Sequence, residues 1–514
     1  MWLLAGVPAA AAAWAGSPPF TVFTPDIDVY PQHFGVAQDA DGIVYLGSVD
    51  GVLEFDGERW SLLRLPNREL VRSLAVDGSR VFVGGYNSFG YLDRNDAGEL
   101  VYHPLEQRFA AQLAGREFAD IWGIAIAPEG VYFRAVRDVF LWNPGDDTQA
   151  HWHRPERFGM LLHHRGRTLL QFREEGVRVR SGAGWEPLPG SAHLTTLIYR
   201  MLPLADGGLL TLGSDGRWWR IGDDGIREQA MPAGLPPSSH FEHGLALSDG
   251  SLALAGGDGQ VAIVSAALDG YRQFRLDNAF LSGVHPEQGG GFLVASTRHL
   301  FRVGWPAPWS MVDATRGVEG SVNSITQLGD DFYLGTSVGA LRLRADPVSG
   351  IRAERLPWSS DEVYDVLALP SGAWLAAHAH RLGVVEQGRW RGFSDELVYP
   401  RRFFRSRFDP KRVYLATEFG LRALDLSGPS PTLSSLVDPD VAARVTTIVE
   451  RGAGEVLAGT ERHGLWRYRY DSAGGLVSAE RIDVEAGIET GQVAELAVSM
   501  LPDGAVVAST RLGF

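Results

Sequence analysis

Residues 36–60 read VAQDADGIVYLGSVDGVLEFDGERW, and this stretch decides the fold. An apolar strand is followed by a turn at residues 39–42, by β-forming residues that end in the small pair Gly47-Ser48, and by two further short strands. Short apolar runs joined by turns rich in Asp and Gly are typical of antiparallel hairpins. One such unit cannot bury its apolar faces alone, so copies of it have to stand side by side.

The same pattern recurs through the chain at intervals of about forty residues, which is the period of a four-stranded propeller blade. The further copies begin at Leu74, Ile124, Leu161, Met201, Leu245, Val284, Ile325, Val366, Arg407, Ile448 and Val498. Leucine-rich and tetratricopeptide repeats have shorter periods. We therefore predict an all-β fold of tandem β-propellers, the first seven-bladed and the second incomplete.

The repeats and the composition of the first residues divide the chain into three parts. Residues 1–15 are almost wholly apolar, too short to cross a bilayer, and end in an Ala-x-Ala pattern, which indicates a signal peptide. The seven-bladed propeller is predicted over residues 16–307, and the partial second propeller, of about five blades, over residues 308–514. Because the last copy stops after its second strand, we interpret the sequence as truncated from a longer protein.

Each strand of the repeat has a predicted place. The first strand is interpreted as an inner strand packed on both faces, and the second, which ends in small residues, as the strand where neighbouring blades approach closely. Residues 20–24 are predicted to complete the seventh blade, so that the ring has no exposed edge. Residues 308–314 are expected to play the same part before the eighth unit. Fourth strands carry Trp60, Trp185 and Trp390, for which packing between blades is favoured over ligand binding.

Composition excludes several functions. The formal net charge is −15 and the acidic residues are dispersed, so nucleic acid is not expected as a partner. The chain has no Cys, which excludes disulfides, thiolate metal sites and Cys nucleophiles. No cofactor and no metal are expected. Residues two apart on a strand share a face, which makes His151 with His153 and His378 with His380 candidate metal ligands. Either pair would hold a divalent ion only together with a carboxylate.

The repeats resemble the two-component regulator propeller repeats of bacterial sensors. The resemblance covers nearly all of the chain after residue 20, and Arg173-Glu174 and His378 depart from its pattern. Two features carry the resemblance. The first is a turn with Asp, at Asp39 and Asp77. The second is a pair of small residues followed a few positions later by Gly and an apolar residue: Gly47-Ser48 with Gly51-Val52, Gly335-Thr336 with Gly339-Ala340, Ala416-Thr417 with Gly420-Leu421, and Gly459-Thr460 with Gly464-Leu465.

That resemblance implies the periplasmic sensor region of a hybrid histidine kinase or a diguanylate cyclase. In such receptors exported propellers precede a β-sandwich, a membrane helix and a cytoplasmic output domain. The piece itself would then have no enzyme activity. Its own membrane-anchored output domain would be its partner, and a change in the geometry of a homodimer would carry the signal.

In a propeller, the residues just before each inner strand surround the mouth of the central channel. An Arg, a His and three aromatic rings in one funnel suit an anionic or sugar-like solute. The residues at this position are Phe34, Arg72, Trp122, Gly159, Tyr199, His243 and Ser282 in the first ring and Asn323, Tyr364, Arg405, Thr446 and Ala494 in the second. The ligand-binding residues predicted among them are Arg72, Trp122, Tyr199, His243, Phe34, Tyr364 and Arg405. Residues 86–89 are secondary candidates.

The predicted function is extracytoplasmic sensing of a small molecule or carbohydrate by a transmembrane signalling receptor. Two alternatives stay open. One is a secreted propeller enzyme such as a polysaccharide lyase, with His243 as base and Arg72 neutralising substrate charge. The other is a non-catalytic scaffold whose channel holds only water.

Overall fold

A computed structural model of the chain describes residues 16–509 except 67, 329–330, 347–349, 370, 395, 397, 435–443, 484–487 and 489–495. The predicted signal peptide, residues 1–15, and Ala494 lie outside the described residues. The chain divides into two compact units, Met1–Met311 with Pro347–Gly350, and Val312–Asp346 with Ile351–Phe514. The predicted domain limits and the blade count of the whole chain stay predictions.

The first unit contains seven four-stranded sheets among its described residues. Its strands are β1 (Phe20–Phe23), β2 (His33–Gln38), β3 (Val44–Ser48), β4 (Gly51–Phe55), β5 (Trp60–Leu63), β6 (Val71–Asp77), β7 (Arg80–Gly85), β8 (Phe89–Arg94), β9 (Leu100–Pro104), β10 (Gly123–Ala127), β11 (Gly130–Arg134), β12 (Asp138–Trp142), β13 (Gln149–His153), β14 (Phe158–His164), β15 (Arg167–Phe172), β16 (Gly176–Ser181), β17 (Gly184–Pro187), β18 (Ile198–Pro203), β19 (Leu209–Gly213), β20 (Trp219–Gly222), β21 (Gly225–Glu228), β22 (Phe241–Ala246), β23 (Leu252–Gly256), β24 (Gln260–Val264), β25 (Tyr271–Arg275), β26 (Leu281–Pro286), β27 (Phe292–Ser296) and β28 (Leu300–Val303).

The first strands of these sheets follow one another in a circle. β2 lies beside β6, each further first strand lies beside the next, and β26 lies beside β2. Neighbouring strands are antiparallel within each sheet, and in six of the seven sheets they follow chain order, as in four-stranded blades. Strands make up 54% of the described residues and helices 3%, so the predicted all-β propeller fold is confirmed.

The sheet that contains β26 to β28 takes its fourth strand from the start of the chain. β1 pairs antiparallel with β28, from Phe20 opposite Val303 to Phe23 opposite Leu300. The predicted closure by residues 20–24 is therefore confirmed. The matching prediction for residues 308–314 is wrong. That segment forms no strand and gives only an isolated bridge from Met311 to Ser17, and Pro308 within it has no N–H to donate.

The second strands, not the first, are the most deeply buried. Every residue of β3, β19, β23 and β27 is buried, whereas β10 and β22 are mostly half-buried. Each first strand lies between the first strands of the two neighbouring sheets, as β2 lies between β6 and β26, so the prediction that first strands are packed on both faces agrees with these contacts. First strands are also the edge strands of their sheets, and the free edge that borders the central channel accounts for their lower burial.

Small residues and Trp side chains fill the contacts between sheets as predicted. A Cβ added to Gly47 on β3 would meet the carbonyl oxygen of Val71, on the neighbouring sheet, at 2.6 Å. Trp60 stacks on Phe55 with ring centroids 4.4 Å apart and packs in a cluster with Leu293 of the adjoining sheet. These Gly and Trp positions therefore set how closely neighbouring sheets approach.

The second unit has four four-stranded sheets and one two-stranded sheet among its described residues. Its strands are β29 (Val322–Leu328), β30 (Asp331–Thr336), β31 (Gly339–Asp346), β32 (Gly350–Arg355), β33 (Val363–Ala368), β34 (Trp374–His378), β35 (Arg381–Glu386), β36 (Arg389–Gly392), β37 (Pro400–Arg405), β38 (Arg412–Thr417), β39 (Gly420–Asp425), β40 (Thr432–Leu433), β41 (Val445–Gly452), β42 (Glu455–Thr460), β43 (Leu465–Tyr470), β44 (Leu476–Arg481), β45 (Ala497–Met500) and β46 (Val506–Ser509).

Helices are few and short. Glu106–Phe109 forms a 3-10 turn that continues into α1 (Ala110–Leu113), and Ser238–His240 and Ala314–Arg316 form two further 3-10 turns. In the described part of the chain, none of the helices has the length and apolar character needed to cross a bilayer.

Candidate functional site

A cavity of about 530 Å³ lies at the centre of the first unit. Residues from the first strand of every sheet in this unit, or from the segment leading into it, line the cavity. The volume is in the range of pockets that enclose small ligands. Six of the seven residues predicted at the channel mouth line it: Phe34, Arg72, Trp122, Tyr199, His243 and Ser282.

A β-bulge at the start of the first strands explains why these residues share one position. The strand register shifts across Phe34 in β2, Arg72 in β6, Tyr199 in β18 and Ser282 in β26. A bulged residue is left out of the ladder and its side chain is turned aside. The repeat therefore presents one side chain from each of these sheets to the channel.

Gly159 is the predicted residue that does not line the cavity. A Cβ at this position would collide with the side-chain oxygen of Gln171, at 1.9 Å. That side chain donates to the carbonyl oxygens of Leu194 and Thr196 and accepts from the backbone N–H of Ile198. Gly159 thus makes room for a buried amide that links two neighbouring sheets.

Arg72 is already engaged at the rim. Its guanidinium carbon lies 4.2 Å from the ring centroid of Phe34 and 4.7 Å from that of Trp122, and its Nε is 3.4 Å from Asp120 Oδ1. Two cation–π contacts and an ion pair fix the side chain in place. Trp122 remains 45% exposed, so its ring is the accessible face of this stack.

His243 lies one residue beyond the bulge of its sheet, where Glu242 is the bulged residue. The Arg200 guanidinium donates to His243 Nδ1 at 3.1 Å. Burial, together with the charge of Arg200, lowers the pKa of His243 well below its ordinary value. A neutral imidazole is the form that accepts this hydrogen bond.

Four arginines line the cavity on three consecutive sheets, namely Arg134, Arg157, Arg173 and Arg200. Within the described residues, no carboxylate forms an ion pair with any of them, and the buried Nε atoms of Arg134 and Arg173 have no hydrogen-bond partner. Burial and the nearby charge of Arg200 lower the pKa of Arg134 to about 9. Guanidinium groups without a carboxylate partner thus line one side of the cavity. None of the four was predicted as a ligand-binding residue, and Arg173 was noted only as a departure from the repeat.

Substitution of Arg134 by Met is expected to raise the free energy of unfolding by about 1 kcal/mol, because a desolvated charge facing a like charge is replaced by an apolar chain of similar length. Urea unfolding of the two proteins, without added anions, measures the difference. A loss of stability on this substitution would contradict the expectation.

His33 gives the fold a predicted pH dependence. It is buried, and burial lowers its pKa to about 4. In the unfolded chain this imidazole has an ordinary pKa of about 6.5 and is protonated at pH 5.5, whereas in the folded chain it stays neutral at that pH. Protonation of the unfolded chain therefore lowers the free energy of unfolding by about 1.4 kcal/mol at pH 5.5. His33→Gln should reduce the loss of unfolding free energy between pH 7.5 and 5.5 by that amount. An unchanged loss in the variant would contradict this cause.

In the second unit the bulge position is occupied by Asn323, Tyr364, Arg401 and Thr446. The predicted Arg405 is not there. It ends β37, and its guanidinium donates to the carbonyl of Ala368. Arg401 takes its place, with its guanidinium carbon 4.2 Å from the ring centroid of Tyr364. The third repeat of this unit was placed four residues too late, because two arginines interrupt its apolar strand.

The two His pairs have separate outcomes. His151 Nε2 and His153 Nδ1 lie 2.8 Å and 3.0 Å from one oxygen of the buried Asp138, but Arg116 pairs with both oxygens of that carboxylate. Burial opposes ionisation of Asp138, yet hydrogen bonds from His151 and Arg116 outweigh it and hold the pKa below its ordinary value. This is an ion-pair network.

His378 and His380 do not share a strand face. β34 ends at His378, and Ala379 turns the chain with φ of 48°. His380 instead contacts the ring of Tyr399, with centroids 4.7 Å apart. Among the residues that the structure describes, no group of three or more His, Asp or Glu side chains is placed to hold a metal ion.

No protein family model and no curated protein match the sequence. Similar solved structures include the extracellular domain of the hybrid two component system BT3049 from B. thetaiotaomicron, with a TM-score of 0.59 and 14% identity over 96% of this chain and 70% of that one. A second, BT4673 of the same organism, has a TM-score of 0.43 and 10% identity over 95% and 70%. Virginiamycin B lyase from Staphylococcus aureus has a TM-score of 0.46 and 12% identity over 56% and 99%.

Of these three similarities, the first has a TM-score above 0.5, and the fold assignment rests on it. The resemblance seen in the repeats is confirmed at the level of the fold. The chain is a β-propeller protein with the fold of the extracellular domain of a hybrid two component system.

Proposed function

We propose that the chain is the extracytoplasmic sensing region of a transmembrane signalling receptor, located in the periplasm, and that the first unit binds a small solute in its central cavity. The observation that carries this proposal is the cavity itself. Its rim presents the rings of Phe34, Trp122 and Tyr199, and its wall carries arginines without carboxylate partners. Aromatic rings around a few convergent polar groups are what small-molecule sites have in common.

The alternative of a polysaccharide lyase has weaker support. His243 Nδ1 accepts a hydrogen bond from Arg200, and its pKa is lowered well below the ordinary value by burial, which makes it a poor base. Arg72 is held between two rings and paired with Asp120. These engagements favour binding over catalysis, so we propose that this region has no enzyme activity.

A scaffold with a water-filled channel would not need unpaired arginines in the wall. Burial of the Arg134 and Arg200 guanidinium groups without a carboxylate partner costs stability that a bound solute would return. The solute would pass its signal to the receptor's own membrane-anchored output domain through the geometry of a homodimer.

A thermal-shift screen of the purified chain against neutral sugars, acidic sugars and organic acids tests the proposal. A solute at about 100 times its dissociation constant should stabilise the first unit by roughly 2.7 kcal/mol. Trp122→Ala should weaken its binding about tenfold, since stacking on an aromatic ring contributes roughly 1 kcal/mol or more.

Trp309→Ala is the matched control, because Trp309 is 60% exposed and does not line the cavity. It should leave the affinity unchanged. A screen without any stabilising solute, or equal affinity in the Trp122 and Trp309 variants, would contradict binding in the cavity.

A further inference from the structure

Arg134, Arg173 and Arg200 of the cavity wall are partly buried, and none of them has a carboxylate partner among the described residues. Arg80, Arg154 and Arg220 of the same unit are partly buried as well, but each of them lies against a carboxylate. Such pairing is the usual arrangement for Arg in a protein with an excess of acidic residues, and this chain carries 62 Asp and Glu against 47 Lys and Arg. The four guanidinium groups without a carboxylate partner therefore make this wall positively charged in a protein whose net charge is negative.

These groups converge from three neighbouring sheets. Arg134 ends β11, Arg157 and Arg173 flank β14 and β15, and Arg200 lies on β18. Arg134 lies over Gly123, where a Cβ would be 3.4 Å from its Nη2, so the absent side chain leaves room for the guanidinium. Arg200 is held by the carbonyl of Tyr199 and by His243. The wall is built to present these groups.

Acidic side chains in the lining do not balance this charge. Glu242 is the one carboxylate among the lining residues described, and it faces Arg200 from an exposed position. Arg72 is balanced by Asp120. With the other four arginines against one carboxylate, the wall retains an excess of about three positive charges at neutral pH.

We propose that the solute bound in this cavity is a compact polyacid with at least two acidic groups, bound by Arg134, Arg157, Arg173 and Arg200. Guanidinium groups bind carboxylate, sulfate and phosphate through paired parallel hydrogen bonds, and this is the chemistry that the ligand must offer. Two or more groups are needed because a single acid group neutralises only part of the wall. The inference rests on the proposed function and names the class of ligand for the same cavity.

Titration calorimetry on the whole chain at low ionic strength tests the class. The probes are citrate, digalacturonate, its neutral dimethyl ester, and inorganic phosphate. Citrate or digalacturonate is expected to bind, the ester at least tenfold more weakly, and added NaCl should weaken the binding of the acid. Binding of inorganic phosphate alone would overturn the need for two acidic groups.

Arg134→Met and Arg173→Met are each expected to weaken binding of the acid at least tenfold, and the exposed Arg64→Met, outside the cavity, to leave it unchanged. Circular dichroism of each variant shows that it is folded. Equal affinity in the Arg134, Arg173 and Arg64 variants, or equal binding of acid and ester, would overturn the proposal.

Different experimental results would contradict the polyacid class and the proposed sensing function. If neutral sugars bind and Trp122→Ala weakens them while the acids do not bind, the polyacid class is wrong and the sensing cavity stands. If neither neutral nor acidic solutes bind, both proposals fall.

Discussion

Deletion of residues 16–23 is expected to lower the free energy of unfolding of the first unit by about 4 kcal/mol. The deletion removes β1, which is the fourth strand of the sheet formed by β26 to β28. The ring of Phe20 packs edge-on against Phe301 at 6.1 Å, and Phe23 packs against Phe55 at 4.9 Å. Two partly buried aromatic side chains contribute roughly 2 kcal/mol each, and β28 becomes an unpaired edge. Urea unfolding followed by Trp fluorescence measures the loss.

A cross-link provides an independent check of the same closure. The chain has no Cys, so Thr21→Cys with Arg302→Cys introduces the only two thiols, at positions directly opposite in the β1 and β28 pair. Opposed residues of antiparallel strands are close enough for a disulfide. We expect the thiols to disappear on mild oxidation without formation of dimers. Persistent free thiols, or a deletion variant as stable as the parent, would contradict ring closure by β1.

Phe89→Ala is expected to lower the free energy of unfolding by about 3 to 5 kcal/mol, the usual cost of removing a fully buried aromatic ring. Phe89 has no exposed surface and lies at the centre of a group of phenylalanines. Its ring centroid is 4.7 Å from that of Phe133 and 4.8 Å from that of Phe140, both on the neighbouring sheet. The cavity left behind would loosen two sheets at once.

Tyr30→Ala is the control for this change, because Tyr30 belongs to the same unit and is 60% exposed. Its loss should cost less than about 0.5 kcal/mol. Urea unfolding of both variants gives the comparison. Similar losses for Phe89→Ala and Tyr30→Ala would mean that the aromatic group does not hold the sheets together.

The fold could be predicted from the sequence because one pattern is repeated many times. A single copy is weak, but the spacing of about forty residues and the small pairs such as Gly47-Ser48 indicate four-stranded sheets standing side by side. The closure by residues 20–24 followed from counting strands. The prediction for residues 308–314 failed: an apolar segment can read as a strand, but this one pairs with no sheet and forms only the isolated bridge between Met311 and Ser17.

The rim of the candidate site was predicted in part, since the bulged residue keeps the same place in most repeats. Where the repeat is interrupted, the prediction slipped, as with Arg405 in place of Arg401. Glu242 was missed because the start of its repeat was placed at Leu245, one residue too late, so that His243 took the predicted position. An error of one residue in placing a bulge changes which side chain faces the channel, and only the pairing of the strands determines that position.

The wall of the cavity was not predicted, because its arginines are far apart in the sequence and meet only when the sheets form a circle. One signal was present. Arg134 stands where other second strands carry the small residues Gly47, Gly84, Ala255 and Ala295. A charged residue at a position reserved for close packing is a departure that indicates a special environment.

Binding of the solute in the central cavity of the first unit is the central proposal. A crystal structure of the chain with citrate or digalacturonate, at ten times the dissociation constant measured in solution, tests this directly. We predict electron density for the acid inside the cavity, in contact with the guanidinium groups of Arg134 and Arg200 and beneath the ring of Trp122. An acid bound at another surface, with only water between the arginines, would contradict the account.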